Sequence, residues 1–251
     1  MLRGLTVSGS CFAEHLSHYV ELSESEKTAL ARLEERERAM ERGEFLQREG
    51  DAVEESYIVK HGRLMGYVVL EGGSRQILRH YYAGDTLAAS NTIYRTACET
   101  IVAIDAAVVC PIDKDGLRAL LEEHPRVAAV LFALNQAERV TLTDRLASIG
   151  RTPAKARIAA VLLDVVFRLR LMKNDRIDEF DPRMTQEELG DATGLTSVHV
   201  NRMMRELVED GLITRDGPTI TIVDEPGLCE LAHYQDRFAD LDFNWLPAAR
   251  N

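Results

Sequence analysis

The chain has 251 residues, of which 45% are hydrophobic and 28% charged, the balance of a globular protein with a buried core in one or two domains. No apolar run approaches the ~20 residues of a membrane helix, and the N-terminus lacks the basic-then-apolar layout of a secretory signal, so a cytoplasmic protein is expected. The formal net charge of -11 argues against a nonspecific polyanion binder, but leaves room for a sequence-specific one with a local basic face.

The first elements are helical. Ser25 is placed to cap a helix through Lys27, Leu30, Leu33 and Arg36, whose apolar residues recur three apart. The charged run from Glu34 to Glu41 reads as a solvated face. Cys11, Cys98, Cys110 and Cys229 are scattered without a CxxC pair, so they read as reduced thiols and not as a zinc site or disulfide framework.

From about Arg42 to Ile112 the pattern turns to short β-rich segments, at Tyr57–Val59, Leu64–Leu70, Gln76–Tyr82 and Thr100–Val109. Turn signals at Gly50-Asp51, His61-Gly62, Gly72-Gly73 and Gly84-Asp85 recur about every 11 residues, as in a small β-barrel or jelly roll. No Gly-rich phosphate loop links a strand to a helix, which leaves a Rossmann or P-loop fold unsupported.

After Pro125 a long helix is expected through Ile149. Val127, Val130, Leu134, Val140, Leu142 and Leu146 spread over more than one core face. A second copy of the same helix is the simplest partner for the surplus, and a wholly intramolecular core helix is the other reading. Gly150 should end this helix, and Thr152 should cap the next with Pro153 at its first position, running from Ala154 to about Met172. The expected domains are therefore 1–124, 125–150 and 151–251.

The segment from Met184 to Ile213 is the most informative. Thr185 followed by Glu188 forms a capping box, Gly194 interrupts the helix, Thr196 caps a second one and Gly211 ends it. Val200, Met203, Met204 and Leu207 are spaced for burial, whereas Ser197, Val198, Asn201, Arg202 and Arg205 should be exposed. Two short helices joined by a Gly turn make a helix-turn-helix, whose second helix presents its first residues to base edges. Arg202 is the expected base reader, since an Arg can bond guanine O6 and N7 together, and Asn201 and Ser197 support it. Thr185, Gln186, Thr196 and His199 are the phosphate candidates. An ordinary αα-hairpin with a solvated face is the competing reading. It loses ground to the alternating segments Leu212–Arg215 and Thr219–Val223, which flank Asp216-Gly217-Pro218 as a wing would, with Arg215 facing a phosphate backbone. A closing helix is expected over Glu225–Ala239, followed by a loose polar tail.

This layout resembles the CRP/FNR family of bacterial transcription regulators over roughly residues 20–235. The resemblance is carried chiefly by TQEELGDATGLTSVHVNRMMRELVEDGLI, and more weakly by the run from Gly50 to Leu64 and by Ala83-Gly84-Asp85. It implies an α+β chain: an N-terminal double-stranded β-helix (jelly-roll) like a cyclic-nucleotide-binding domain, a long dimerisation helix and a C-terminal winged helix-turn-helix. It also implies a homodimer on a palindromic operator in double-stranded DNA, with RNA polymerase a candidate partner. The family's base-reading positions fall on Ser197, Val198, Asn201 and Arg202. Many relatives carry Glu where this chain has Val198, so a different operator core is expected.

Cyclic-AMP-binding members hold the ribose with a Gly-Glu pair and the phosphate with an Arg-Ser pair. The matching positions are Ala88-Ala89 and Arg95-Thr96, so an effector pocket is placed at Ala88, Ala89, Arg95 and Thr96, with cyclic AMP not the expected effector. A structural ion pair is the other role for Arg95. Only Cys11 stands where iron-sulfur members cluster several cysteines, and no cofactor is assigned. An opposing class is a small-molecule-binding β-barrel protein or enzyme whose C-terminal helices mediate protein contacts. The β-region shows no His/carboxylate metal spacing and no recognisable Ser, His and Asp set, and catalysis is not expected.

Overall fold

The computed structural model describes residues 9–173, 175–239 and 241–249; residues 1–8 and 250–251, at the ends of the expected first and last domains, lie outside them. Chain contacts divide these residues into two compact units. The first runs to Val68 and includes Leu78–Asn135 and the tail from Asp242; the second comprises Val69–Ile77 and Gln136–Leu241.

Two four-stranded sheets face each other, within the first unit but for Val69 and residues 75–77. One has the order β1-β8-β3-β6 and the other β2-β7-β4-β5, built from β1 (Arg38–Met40), β2 (Phe45–Gln47), β3 (Ser56–His61), β4 (Leu64–Val69), β5 (Arg75–Tyr81), β6 (Thr86–Leu87), β7 (Thr100–Ala103) and β8 (Ala107–Ile112). Met40, Leu46, Val59, Leu64, Tyr81, Leu87, Ile101 and Val109 fill the space between the sheets. The stretch expected as one strand, Thr100–Val109, is two strands in different sheets. The apolar alternation continues through the corner, but Ile104 N–H donates to the Arg63 carbonyl at 3.0 Å and Asp105 pairs with Arg63 Nε at 3.0 Å. Gly62 lies against this corner at φ +82, where a Cβ would stand 2.5 Å from the Ala106 carbonyl oxygen.

Helices α1 (Cys11–Ser17) and α2 (Glu24–Arg32) pack beside the roll. Ser23, not Ser25, caps α2: its hydroxyl accepts from Glu26 N–H, and the Glu26 carboxylate accepts from Ser23 N–H at 2.8 Å. The helix also ends before Arg36, because Glu34 turns inward. Its carboxylate accepts from the N–H groups of Cys11 and Phe12 and from the Ser10 hydroxyl. Glu34 is only 3% exposed, which corrects the expectation of a wholly solvated face: four donors, the Cys11 thiol included, compensate its burial.

Helix α3 (Lys114–Glu123) leads into α4 (Pro125–Arg151). Gly150 does not end α4. The break falls at Thr152-Pro153, since a proline ring disfavours helical geometry in the residue before it. The Thr152 hydroxyl donates back to the Ser148 carbonyl at 2.8 Å instead of capping the next helix. Phe132, Leu142 and Leu146 remain exposed on α4, within one face at 3.6 residues per turn.

The second unit contains α5 (Ala154–Lys173), α6 (Gln186–Thr193), α7 (Ser197–Glu209) and α8 (Glu225–Ala232), with the sheet β10-β11-β9 formed by β9 (Glu179–Phe180), β10 (Ile213–Asp216) and β11 (Thr219–Ile222). Its core gathers Ile158, Leu162, Val165, Leu189, Val200, Leu207, Ile213 and Leu228. The closing helix is shorter than expected, ending where His233 takes φ +49. Nor is the tail loose: Phe243 and Leu246 pack on the core of the first unit, and Arg126 Nε donates to the Pro247 carbonyl at 2.7 Å. No helix of the described residues is long and apolar enough to cross a membrane.

Candidate nucleic-acid interface

The helix pair α6–α7 is built largely from local signals. Thr185 accepts from Glu188 N–H at 3.1 Å, while the Glu188 carboxylate accepts from Thr185 N–H at 2.8 Å, closing the capping box that starts α6. Gly194 ends the helix at φ +70, a left-handed geometry that favours glycine. Gly190, which the motif reading passed over, matters as well: a Cβ there would overlap the Leu195 carbonyl oxygen, so the turn folds back against α6 only over glycine. Arg157 of α5 reaches the carbonyls of Thr152 and Thr193, tying the end of α6 to its support.

Thr196 caps α7 by accepting from His199 N–H at 3.3 Å. Val200, Met203, Met204 and Leu207 then turn into the core, which points the opposite face of α7 outward. Val198 is 79% exposed. An open groove on this face is lined by Thr196, Val198, His199, Arg202, Arg205, Glu206 and Glu209. Ser197 is exposed and Asn201 half-buried, and neither lines that groove. Thr185 is exposed and Gln186 half-buried at the start of α6. The two glutamates in the groove are the members that the motif did not single out; both follow Arg202 on its side of the helix, at i+4 and i+7.

The groove's charges already contact one another. The Arg202 guanidinium reaches the His199 ring at 2.5 Å, with Glu206 3.8 Å from Arg202 Nε. Behind α7 the hairpin β10–β11 pairs Ile213 with Ile222 and Arg215 with Ile220. Arg215 is exposed beside the Asp216–Gly217 turn and donates through Nε to the Gly217 carbonyl at 2.9 Å.

The four residues placed at an effector pocket differ in setting. Ala88 is buried in the roll core at φ +53, and it opens a short 3-10 turn over Ala89–Thr92. Ala89, Arg95 and Thr96 are exposed. The backbone of Arg95 and Thr96 pairs with the turn after β2, through an Ala52–Thr96 bridge and a Val53 N–H bond to the Arg95 carbonyl at 3.1 Å. Among the described residues no three His, Cys, Asp or Glu side chains gather as a metal site.

A β-roll followed by a long helix and a winged helix-turn-helix defines a DNA-binding transcription regulator. Comparison with known proteins agrees. Residues 37–124 match the cyclic nucleotide-binding domain family and residues 156–231 the Crp-like helix-turn-helix domain. The chain is 26% identical over 211 residues to the transcriptional activator protein anr of Pseudomonas aeruginosa, covering 84% of this chain and 86% of that one. It is 25% identical to the fumarate and nitrate reduction regulatory protein of Escherichia coli, covering 84% of each. Among solved structures, FixK2 from Bradyrhizobium japonicum shares the fold with a TM-score of 0.71 and 24% identity, covering 80% of this chain and 98% of its own. The chain belongs to the CRP/FNR family of transcription regulators.

Proposed function

We propose that the chain acts as a homodimer on a palindromic operator, with α7 of each protomer in a major groove. The observation that carries this reading is the two-sided character of α7, with four apolar side chains inward and Val198, Arg202 and Arg205 outward. Residues 1–124 serve as the β-roll sensor domain, 125–150 as the dimerisation helix and 151–251 as the DNA-binding domain, except that the tail from Asp242 belongs with the first unit. Exposed Phe132, Leu142 and Leu146 support pairing of α4 with a second copy. The two recognition helices then stand about 34–36 Å apart, one turn of DNA.

Arg202 reads guanine through O6 and N7, and Val198 packs on a base edge such as a thymine methyl. Ser197 and Asn201 flank these contacts. Thr185, Gln186 and Thr196 at the helix starts, together with His199 and Arg215, meet phosphates and set the register. The effector is not cyclic AMP: alanines 88 and 89 replace the ribose-binding pair, and Arg95 and Thr96 stand in solvent. The protein works in the cytoplasm beside RNA polymerase and has no catalytic role of its own.

Selection of bound duplexes from a random pool tests the reading. Enrichment of a two-fold symmetric site is expected, and Arg202→Ala should weaken it by about 1–3 kcal/mol while relaxing selectivity at one position per half-site. Enrichment of no palindrome, with or without cell metabolites, would defeat it.

A further inference from the structure

Beside the apolar side chains between its two sheets, the roll carries polar groups of its own. Glu99 directly precedes β7, in alternation with the inward-facing Ile101 and Ala103. Its carboxylate accepts from the Tyr81 hydroxyl at 2.7 Å, and Tyr81 is itself buried in the roll core. Room for the carboxylate exists because β4 carries Gly66 at this point. A Cβ there would overlap Glu99 Oε2 and stand 3.1 Å from the Tyr81 ring. The Arg79 guanidinium lies 4.8 Å from the centre of the same ring.

A second set of bonds holds the adjoining 3-10 turn in place. Asn91, 1% exposed, donates through Nδ2 to Gln47 Oε1 and to the Glu55 carbonyl, each at 2.8 Å. Gln47 in turn donates to the Glu99 carbonyl at 3.2 Å. Asn91 and Gln47 thus link the turn, β2 and the Glu99 backbone, while Asn91 Oδ1 is itself buried without a hydrogen-bond partner among the described residues.

Resting on the sensor half of the reading above, we propose that Tyr81 and Glu99 fill the β-roll in place of a diffusible ligand, making it a self-occupied module that binds no cyclic nucleotide. The carboxylate supplies from within the polar charge that a bound small molecule would bring, and the Asn91–Gln47 bonds fix the turn without one.

Both tests use the full chain without DNA, so their outcome leaves the operator reading untouched. Gly66→Ala should lower Tm by several degrees, in the range that about 1 kcal/mol produces in a domain of this size. In a Glu99→Ala background the same substitution should cost clearly less, because the carboxylate no longer occupies the space the new methyl needs and only the Tyr81 ring, 3.1 Å away, has still to give. If Gly66→Ala does not fold alone, recovery of soluble, cooperatively melting protein by Glu99→Ala is the corresponding result. Equal losses in both backgrounds would overturn the proposal. Cyclic AMP and cyclic GMP, each titrated to millimolar concentration, should leave the wild-type Tm unchanged. A saturable rise with either nucleotide would overturn it, since a ligand of the folded state stabilises by mass action.

Discussion

Arg202 and His199 share the outward face of α7, their side chains 2.5 Å apart, while Glu206 holds the far side of the same guanidinium at 3.8 Å. The expected guanine reader is therefore tethered before it meets DNA. Both contacts must be exchanged for base contacts on binding, and Glu206 adds a negative charge to a face that meets phosphates. Glu206→Gln should tighten binding to the selected operator by about two- to fivefold at low salt, the scale of an exposed ion pair. Fluorescence anisotropy at two salt concentrations measures it, and weaker binding would mean that Glu206 positions Arg202 for the groove.

Val198 sets a second expectation. With most of its surface open to solvent, it makes only apolar contact with a base edge, whereas a carboxylate there accepts from cytosine N4. Val198→Glu should shift preference at one base pair per half-site toward cytosine by about tenfold or more. The folded protein and its melting temperature should stay unchanged, because the side chain packs against nothing internal. Parallel selections with the two proteins read the change directly.

The exposed apolar face of α4 predicts the oligomeric state. Leu146, 73% exposed, loses little intramolecular packing when replaced, so Leu146→Glu should leave each protomer folded and convert dimer to monomer. Light scattering after gel filtration gives the mass. An unchanged dimer would place the interface elsewhere.

The four thiols should differ sharply in reactivity. Cys98 is exposed, while Cys11 and Cys110 are buried around Glu34. Burial, then the Glu34 charge, pushes the Cys110 thiol up to about 12 and the Cys11 thiol further still. Little thiolate forms at either, and thiolate is the nucleophile. Iodoacetamide on native protein should label Cys98 first and leave Cys11 and Cys110 unmodified until denaturant is added, as read by peptide mass spectrometry.

Glu99 predicts a pH dependence. Burial holds its carboxyl above the ordinary value of 4.5, against the opposing pull of the Tyr81 hydrogen bond and the Arg79 charge. Between 4.5 and that raised value the folded chain binds more protons than the unfolded one, so this group's contribution falls as pH rises through the window. Glu99→Gln keeps an acceptor for Tyr81 and removes the titration. It should flatten that part of the stability profile and be at least as stable as wild type at neutral pH. Urea melts at pH 5 and pH 7.5 give the comparison; an unchanged profile would show that Glu99 is not the titrating group.

Much of the DNA-binding half was legible in the residues because its signals are local. A capping box spans four positions, a left-handed glycine acts where it stands, and the burial of Val200, Met203, Met204 and Leu207 follows from helical spacing. The strands of the roll were legible for the same reason, through alternation and turns. Their corners were not: Ile101, Ala103, Ala107 and Val109 keep one alternating rhythm across a change of sheet, so no local pattern marks the crossing at Ile104–Ala106.

Arg202 thus follows from sequence as a candidate on an exposed helix face, and so does the order of β-roll, long helix and winged helix. Other features required the chain to be folded. Glu34 sits in a charged run that reads as solvated, yet it is buried because Ser10, Cys11 and Phe12 arrive from more than 20 residues away (|i−j| 22 to 24) to donate to it. The pairing of Tyr81 with Glu99 and the space left by Gly66 join three strands of one sheet, and the tail finds its place only on a core to which α1, α2, α3, α4, β3 and β8 all contribute. Caps and periodicity are properties of neighbouring residues. A buried charge, a filled interior and a docked tail are properties of what surrounds them, and only the tertiary structure supplies those surroundings.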